Sequence, residues 1–281
     1  MCLFDVYAFA DYSGSERVAG QQNAIALAVL PQEIKVACRQ WTREKLRDQV
    51  IQILIDSTLK NKRVFFGFDH QYSFPMGLFE ELTGGHWVAW DQVLHLLGEG
   101  GYGLPPVGNS PRKWAEMAND RIITRLGVSK GPFWGPNFSQ EHDPRFPFGK
   151  TIIKERRLVE ERQTDMKPIF KIGGPGSVGL QSIAGIPHLY SIKAECKRLG
   201  LPLFCWPFDG WDCPSEGHIL VEIYPRLMNF GPKNDVADAK ETAKAISSLD
   251  KNRELERLLK PSLTEEEKQR AQLEGWVIGV K

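Results

Sequence analysis

The chain has 281 residues, of which 36 are Lys or Arg and 35 are Asp or Glu, so its formal net charge is +1. This balance excludes a protein that coats nucleic acid through a cationic surface along its whole length, and it excludes an acidic solvating tail. With 42% hydrophobic and 25% charged residues, the composition is that of a globular protein. Any contact with DNA or RNA must therefore come from a local basic patch.

The cysteines and the N-terminus favour a cytoplasmic protein. The five cysteines are irregularly spaced and form no C-x-x-C pair, so neither a zinc knuckle nor a redox dithiol is expected. The apolar N-terminal segment carries Asp5 and Asp11 without a basic region, which indicates a strand and not a signal peptide. No apolar run approaches the ~18 residues that a membrane span needs.

The first third of the chain predicts an antiparallel meander of three strands, then a helix and a fourth strand. The three meander strands and the fourth strand are expected at residues 3–10, 23–30, 34–41 and 64–68. Short connectors containing Gly20 and Pro31 separate the meander strands. The helix opens at Thr42 and ends before Asn61. A helix between two strands usually makes a right-handed crossover, so the fourth strand should run parallel to a neighbour.

The rest of the chain is harder to divide. Residues 75–170 are rich in Gly, Pro and Trp, which predicts a long insertion packed on the sheet of a single domain, residues 1–281. Helices are expected within the insertion at residues 111–126 and 151–162, and after it from about residue 178 to 199 and at 234–249. Two strands are expected at residues 202–206 and 218–224. Thr264 and Glu267 form a capping-box pattern for a last short helix.

Three carboxylates stand where strands end or should be apolar. Asp11 closes the first strand, Asp69 follows the fourth, and Glu222 interrupts an apolar strand. A carboxylate in such a place costs free energy unless it is paired or bound to metal. Ends of strands at one sheet edge can bring such groups together, and divalent-metal chemistry on phosphate esters uses shared carboxylates of this kind. An ion pair with Arg226 would equally satisfy Glu222.

Asp235 and Asp238 add two acids on one face of a predicted helix. An acid in the first helical turn also stabilises the helix dipole without any further role, so both interpretations of Asp235 stay open. Asp238 precedes Ala239 on a face that the pattern places inward.

The order of these pieces resembles the ribonuclease H-like superfamily and, within it, a poorly characterised family of predicted nucleases. The pieces that carry the resemblance are Phe9-Ala10-Asp11, Phe66-Gly67-Phe68-Asp69 followed by Pro75, Val221-Glu222-Ile223-Tyr224-Pro225, residues 235–239 and Glu274-Gly275-Trp276. The resemblance implies an α/β fold: a mixed sheet, with an antiparallel meander plus parallel strands, flanked by helices.

The resemblance also implies a carboxylate cluster that holds Mg²⁺ or Mn²⁺. It assigns Asp11 and Asp69 to the strand positions and Asp238, together with Asp235, to the helix position. The segment between Asp69 and Pro75 is longer than the family's tight turn. Whether Glu222 or one of the helix acids completes the site is therefore left open, and all five acids are candidate catalytic or metal-binding residues.

Two further features predict contact with phosphate. The glycine-rich segment containing Gly173, Gly174, Gly176 and Ser177 could present backbone amides to a phosphate, although a tight connection before a helix explains it equally well. Residues 145–171 hold eight basic and four acidic residues, and a nucleic acid could bind there through Arg112, Lys113, Arg156 and Arg157. A solvated helix face is the alternative. His70, beside Asp69, is either a metal or water ligand or a structural residue.

Three hypotheses follow. The first is a divalent-metal-dependent nuclease of ribonuclease H-like fold. The second is an ATP-dependent phosphotransferase of related fold, since Asp11-Tyr12-Ser13-Gly14-Ser15 could face a phosphate. The third is a non-catalytic binding protein that has retained its acids, in which Asp11→Asn would relieve repulsion and stabilise the fold.

Overall fold

A five-stranded mixed sheet belongs to the first of two units in the computed structural model, which describes residues 2–31, 40–136, 146–228 and 235–281. The strands β1 to β5 are Val6–Asp11, Ala26–Leu30, Val64–Phe68, Leu203–Cys205 and His218–Glu222. Their order in the sheet is β2-β1-β3-β5-β4. The β1–β2 pair is antiparallel and the other pairs are parallel. The predicted α/β class with a mixed sheet is confirmed, and residues 64–68 run parallel to a neighbour as expected, the first strand being one such neighbour.

The described residues also form helices α1 to α11. In chain order these are Val18–Ala24, Arg43–Leu59, Leu78–Thr83, Trp90–Gly98, Pro111–Leu126, Leu158–Arg162, Gly179–Leu199, Pro225–Met228, Asp235–Lys251, Leu255–Leu258 and Glu265–Glu274. The first unit comprises Met1–His70, Ser191–Leu263 and Trp276–Lys281, and the second comprises Gln71–Tyr190 and Thr264–Gly275. The expectation of one domain with an insertion at residues 75–170 stays a prediction.

Helix α9 packs on one face of the sheet, against β1 and β2. Its buried positions include Ala239, Ala243 and Ile246, and the small alanines let the helix approach the strands closely. Near the end of α9, the buried carboxylate of Asp250 accepts hydrogen bonds from the amides of Leu3 and Phe4 and from Tyr7 Oη, at 2.9, 3.0 and 2.6 Å. The residue Tyr7 thus identifies the face of β1 that α9 covers.

Helix α2 reaches the opposite face. Its N-cap is Thr42, whose side chain accepts a hydrogen bond from the Lys45 amide, as the sequence predicts. Near its end, Thr58 Oγ1 donates to the Leu54 carbonyl and lies 2.7 Å from Nε2 of His218. Ile219 is paired with Phe65, which lies on the α9 face. Because neighbouring residues of a strand point to opposite faces, the side chain of His218 lies on the other face. Helices therefore flank the sheet on both sides.

The second unit encloses a buried ionic network and a group of stacked and edge-on aromatic rings. Glu274 is fully buried, and its carboxylate accepts hydrogen bonds from the Met76 and Leu158 amides at 2.7 and 2.6 Å and pairs with Arg270 Nε at 2.9 Å. The capping box of Thr264 and Glu267 opens helix α11, which carries Glu274, so that predicted helix is confirmed. The predicted helix at residues 111–126 is confirmed as α5.

Two predicted elements differ from the structure, and the five helices α1, α3, α4, α8 and α10 were not predicted. The short connector predicted around Gly20 contains helix α1, and β2 begins only at Ala26 and not at residue 23. Residues 151–162 are helical only from Leu158, because Arg157 is extended and buried as the N-cap of α6. The predicted third strand, residues 34–41, falls mostly on residues 32–39, which lie outside the described residues.

Gly20 lets α1 form within the predicted connector. A Cβ at this position would lie 2.1 Å from Ser15 Oγ, so only glycine allows α1 to approach the preceding loop this closely. The neighbouring Gln21 is buried, and its side-chain nitrogen Nε2 donates to the Ser15 carbonyl at 3.1 Å. These side-chain contacts outweigh the low helix propensity of the glycine.

Strand β4 is the last strand on its side of the described sheet. The Asp209 carboxylate accepts a hydrogen bond from the Cys205 amide at 2.7 Å, and the Asp209 amide donates to the Cys205 carbonyl at 2.9 Å. Lys193 Nζ pairs with the same carboxylate at 3.1 Å. Both outward backbone groups of Cys205 are thus bonded within the chain.

Candidate functional site

Two aspartates meet where neighbouring parallel strands end. Asp11 is the last residue of β1, and Asp69 directly follows β3. Because Ala10 is paired with Phe68, the next residue of each strand lies at the same level and on the same face of the sheet. The two carboxyl groups interact through a hydrogen bond. The sequence-based expectation that these two acids converge is therefore supported by the geometry.

Helix α9 brings two more aspartates towards the same place. Asp235 is its first residue, and Asp238 lies in its first turn. Because Asp250, near the other end of α9, bonds to residues at the start of β1, the helix runs antiparallel to β1 and its first turn lies towards Asp11. The charges of both Asp235 and Asp238 act on the Asp11 carboxyl. The first turn of α9 thus adds negative charge near Asp11 and Asp69, although no three acids of the described residues lie together as a metal-holding group.

The pKa values of these groups reflect their burial and their like charges. Burial raises the pKa of Asp11 well above its usual range, and the charges of Asp69, Asp235 and Asp238 raise it further. Burial also raises the pKa of Asp69 to about 6, although hydrogen bonds from Asp11 and from the Tyr12 amide, the latter at 2.7 Å, oppose the shift. Burial and the charge of Asp238 raise the pKa of Asp235. The first two carboxyls thus favour sharing a proton, or binding a cation in its place.

Glu222 is not brought into this group. It is paired with Phe68 of β3, which is one residue before Asp69, so alternation places its side chain on the face opposite Asp11. That face also holds Tyr12, Phe68 and His70, whose rings lie 4.7 to 5.6 Å apart. His70 is only 2% exposed and is buried in this stack. These surroundings agree with the structural role, which is one of the two alternatives that the sequence leaves open for His70.

The donor set matches a hard divalent cation. Within residues 2–31, 40–136, 146–228 and 235–281, no group of three or more His, Cys, Asp and Glu side chains could hold a metal ion. Mg²⁺, however, is commonly held by one or two carboxylates, with waters and substrate phosphates as its other ligands. Asp11 and Asp69 supply two carboxylates in direct contact, and Asp69 is only partly buried. These residues fit such a site.

The glycine-rich segment lies in the second unit, directly before α7. The Ser177 amide donates to the Gly174 carbonyl, and Gly174 and Gly176 have positive φ. A Cβ on Gly173 would lie 2.8 Å from the Pro136 carbonyl oxygen. These contacts explain the glycines by the tight backbone of the connection, and a phosphate contact there stays a prediction.

The predicted basic patch must be corrected at Arg157. Its side chain is fully buried in the second unit, where Nε donates to Glu160 at 2.9 Å and Nη1 donates to the Glu274 carbonyl at 3.1 Å. It therefore cannot contribute to an exposed nucleic-acid surface. Arg156 donates to the carbonyls of Glu160 and Met166 and is only partly exposed, whereas Lys113 on α5 is exposed. Arg112 is partly exposed on the same helix.

The chain matches no protein-family model, no curated protein and no solved structure. Among the helices of the described ranges, none combines the length and hydropathy that a bilayer crossing demands.

The raised pKa values predict that the metal-free protein becomes less stable as the pH rises. Asp69 has a pKa of about 6 in the folded protein against an ordinary value of 3.8, so its contribution is complete below about pH 4 and is lost as the pH rises through about 6. Urea denaturation between pH 4 and 8 measures this slope. In Asp11→Asn the slope should be shallower, whereas the exposed-acid control Asp56→Asn should keep it. An unchanged slope in Asp11→Asn would contradict the assigned repulsion.

Proposed function

We propose that this protein is a divalent-metal-dependent phosphodiesterase that cleaves nucleic acid, with a ribonuclease H-like fold. The observation that carries the proposal is the meeting of Asp11 and Asp69 at the ends of neighbouring parallel strands, with the charges of Asp235 and Asp238 from α9 acting on Asp11. A cluster of like charges destabilises a fold, so its presence favours a role in binding a cation.

In this proposal, Asp11 and Asp69 would hold Mg²⁺ or Mn²⁺. Asp238 and Asp235, on α9, would add negative charge beside them. A bound divalent cation would supply charge neutralisation for a phosphate ester and a lowered pKa for a water. Asp11 would release its proton to water on binding the cation, and the Tyr12 amide holds the Asp69 carboxylate by a hydrogen bond. Glu222, on the opposite face, is outside the proposed set.

The topology supports the assignment of the fold. An antiparallel β1–β2 pair is followed across the sheet by β3 and β5, both parallel to their neighbours. This is the mixed arrangement that the ribonuclease H-like resemblance implies, with acids at the ends of its first and next parallel strand and on the helix that packs on them. The nucleic-acid substrate follows from that resemblance and from Lys113, Arg112 and Arg156, and Arg157 is removed from that set.

Cleavage of labelled oligonucleotides tests the proposal. Single- and double-stranded DNA, single-stranded RNA and an RNA–DNA hybrid are each incubated with the protein in Mg²⁺, Mn²⁺, Ca²⁺ or EDTA, and the products are separated by length. We expect cleavage of at least one substrate with Mg²⁺ or Mn²⁺ and none with EDTA. Binding of Mn²⁺ is measured in parallel by calorimetry.

Each outcome is decisive. Absence of Mn²⁺ binding at millimolar concentration would overturn the metal site and leave a non-catalytic binding protein. Mn²⁺ binding without cleavage of any oligonucleotide, but with stabilisation by ATP, would support the phosphotransferase hypothesis instead. Cleavage that persists in EDTA would contradict the proposed chemistry.

A further inference from the structure

The loop that leaves Asp11 is held by a buried arginine. Arg43, the first residue of α2, is 2% exposed. Its Nη1 donates to the carbonyls of Ser15 at 2.6 Å and Ser13 at 3.2 Å. The guanidinium therefore bonds to the backbone two and four residues after Asp11.

Gln21 adds to these hydrogen bonds, and we call the contacts of Arg43 and Gln21 with the 12–15 loop the clamp. Its side-chain oxygen accepts a hydrogen bond from the Arg43 amide at 3.1 Å, and its nitrogen donates to the Ser15 carbonyl at 3.1 Å. The Ser15 carbonyl thus receives hydrogen bonds from both side chains. Helices α1 and α2 are tied to the loop at one point.

The clamped loop bears directly on the candidate site. The Tyr12 amide, the first of the loop, donates to Asp69 Oδ1 at 2.7 Å. Tyr12 therefore lies between Asp11, its neighbour in sequence, and Asp69, its hydrogen-bond partner. A shift of the loop would change the distance between the two carboxylates, because one is attached to the loop by a peptide bond and the other by this hydrogen bond.

The burial of the Arg43 guanidinium costs free energy, which a purely structural role does not require. Burial lowers its pKa, which reflects the cost of removing the charge from water. Among the described residues, its Nη2 is buried and has no hydrogen-bond partner. A well-packed apolar side chain at such a position is often neutral or stabilising, so the retention of a guanidinium favours a role in placing the loop.

We propose that Arg43 is a positioning residue of the proposed metal site, holding the 12–15 loop so that the Tyr12 amide keeps Asp69 in place beside Asp11. This inference rests on the proposed function for its consequence in metal binding, but the clamp itself is testable in the metal-free protein.

The chain offers a matched control in Arg63. Its guanidinium also donates only to backbone carbonyls, in this case the three of Leu3, Pro214 and Gly217, at 2.7 to 3.0 Å. These contacts lie at the start of β1 and β3, at the end of the sheet away from the aspartates. Arg63→Met therefore removes a comparable set of hydrogen bonds without touching the 12–15 loop.

Amide hydrogen exchange and Mn²⁺ calorimetry are compared for the wild type, Arg43→Met, Arg43→Lys and Arg63→Met. In Arg43→Met, exchange of the Tyr12 amide should accelerate at least about tenfold relative to that of Phe9 in β1. Its Mn²⁺ affinity should fall by about 10- to 100-fold, the usual effect of losing a group that orients a metal ligand. Arg43→Lys should show smaller changes in both the relative exchange of the Tyr12 amide and the Mn²⁺ affinity. Arg63→Met should leave both quantities as in the wild type.

The readouts separate the two proposals. If the wild type binds no Mn²⁺, the proposed function fails, while accelerated Tyr12 exchange in Arg43→Met would still establish the clamp. If the wild type binds Mn²⁺ and Arg43→Met binds it equally, with Tyr12 exchange unchanged relative to Phe9, the positioning role is overturned. Should Arg43→Met fail to fold, Arg43→Lys carries the test: unchanged exchange and affinity in that folded variant would overturn the role.

Discussion

Asp11→Asn is expected to reduce metal-dependent cleavage by at least about 10²-fold, the largest effect of any single substitution on activity. A divalent cation contributes several kcal/mol to stabilising charge in a phosphoryl transition state, and every 1.36 kcal/mol is a factor of ten in rate. In the proposed site, removing one of the two carboxylates would take away a charged ligand of the cation. Calorimetry measures the loss of Mn²⁺ binding, and oligonucleotide cleavage measures the loss of activity.

The same substitution should raise the melting temperature of the metal-free protein, because it removes a charge that Asp69, Asp235 and Asp238 repel. Loss of activity together with a gain in stability is the combination expected of a ligand in a charged site, and not of a residue needed for folding. Asp56→Asn, on the exposed side of α2, is the matched control and should change neither property. Full cleavage by Asp11→Asn would remove Asp11 from the site.

Glu274→Ala is expected to destabilise the protein by about 3–5 kcal/mol, the range for breaking a buried ion pair by removing one partner. The substitution leaves the Met76 and Leu158 amides without their acceptor, and Arg270 keeps only its exposed acidic partner Glu161. Each buried donor left unsatisfied costs about 1–3 kcal/mol. Urea denaturation at neutral pH gives the free energy of unfolding.

Glu274→Gln separates the charge from the hydrogen bonds. Glutamine keeps a side-chain oxygen that can accept from one amide, so it should lose less stability than alanine. Glu266→Ala, at an exposed position in the first turn of the same helix, controls for the change in helix propensity. A loss below about 1 kcal/mol in Glu274→Ala would show that the network is not a main source of stability.

Sequence patterns predicted the parts of the fold and site that local chemistry determines. The apolar strands, the Thr42 and Thr264 caps and the acids at strand ends are each visible within a few residues. The antiparallel and parallel pairings followed because connection rules leave few alternatives. Glu222 was grouped with Asp11 because it is a carboxylate within an apolar strand. The pairing with Phe68, which places the two on opposite faces, depends on register, and the sequence does not determine register.

Two buried charged residues were missed although the pattern contained a signal for them. In α9 the buried positions Ala239, Ala243 and Ile246 continue at helical spacing to Asp250, and in α2 the series Leu46, Val50 and Leu54 extends back to Arg43. A charged residue on the apolar stripe of a helix indicates a buried hydrogen-bond anchor. Their partners are backbone groups from distant parts of the chain, which no local pattern could name.

The bonding of Asp209 to Cys205 has a consequence for self-association. An edge strand with free amides and carbonyls invites another chain to extend the sheet. Here Asp209 occupies both outward backbone groups of Cys205, the last residue of β4, and its carboxylate would repel the same carboxylate of a second copy. A strand added at this edge would first have to displace a charged side chain, so β4 is protected against edge-to-edge growth.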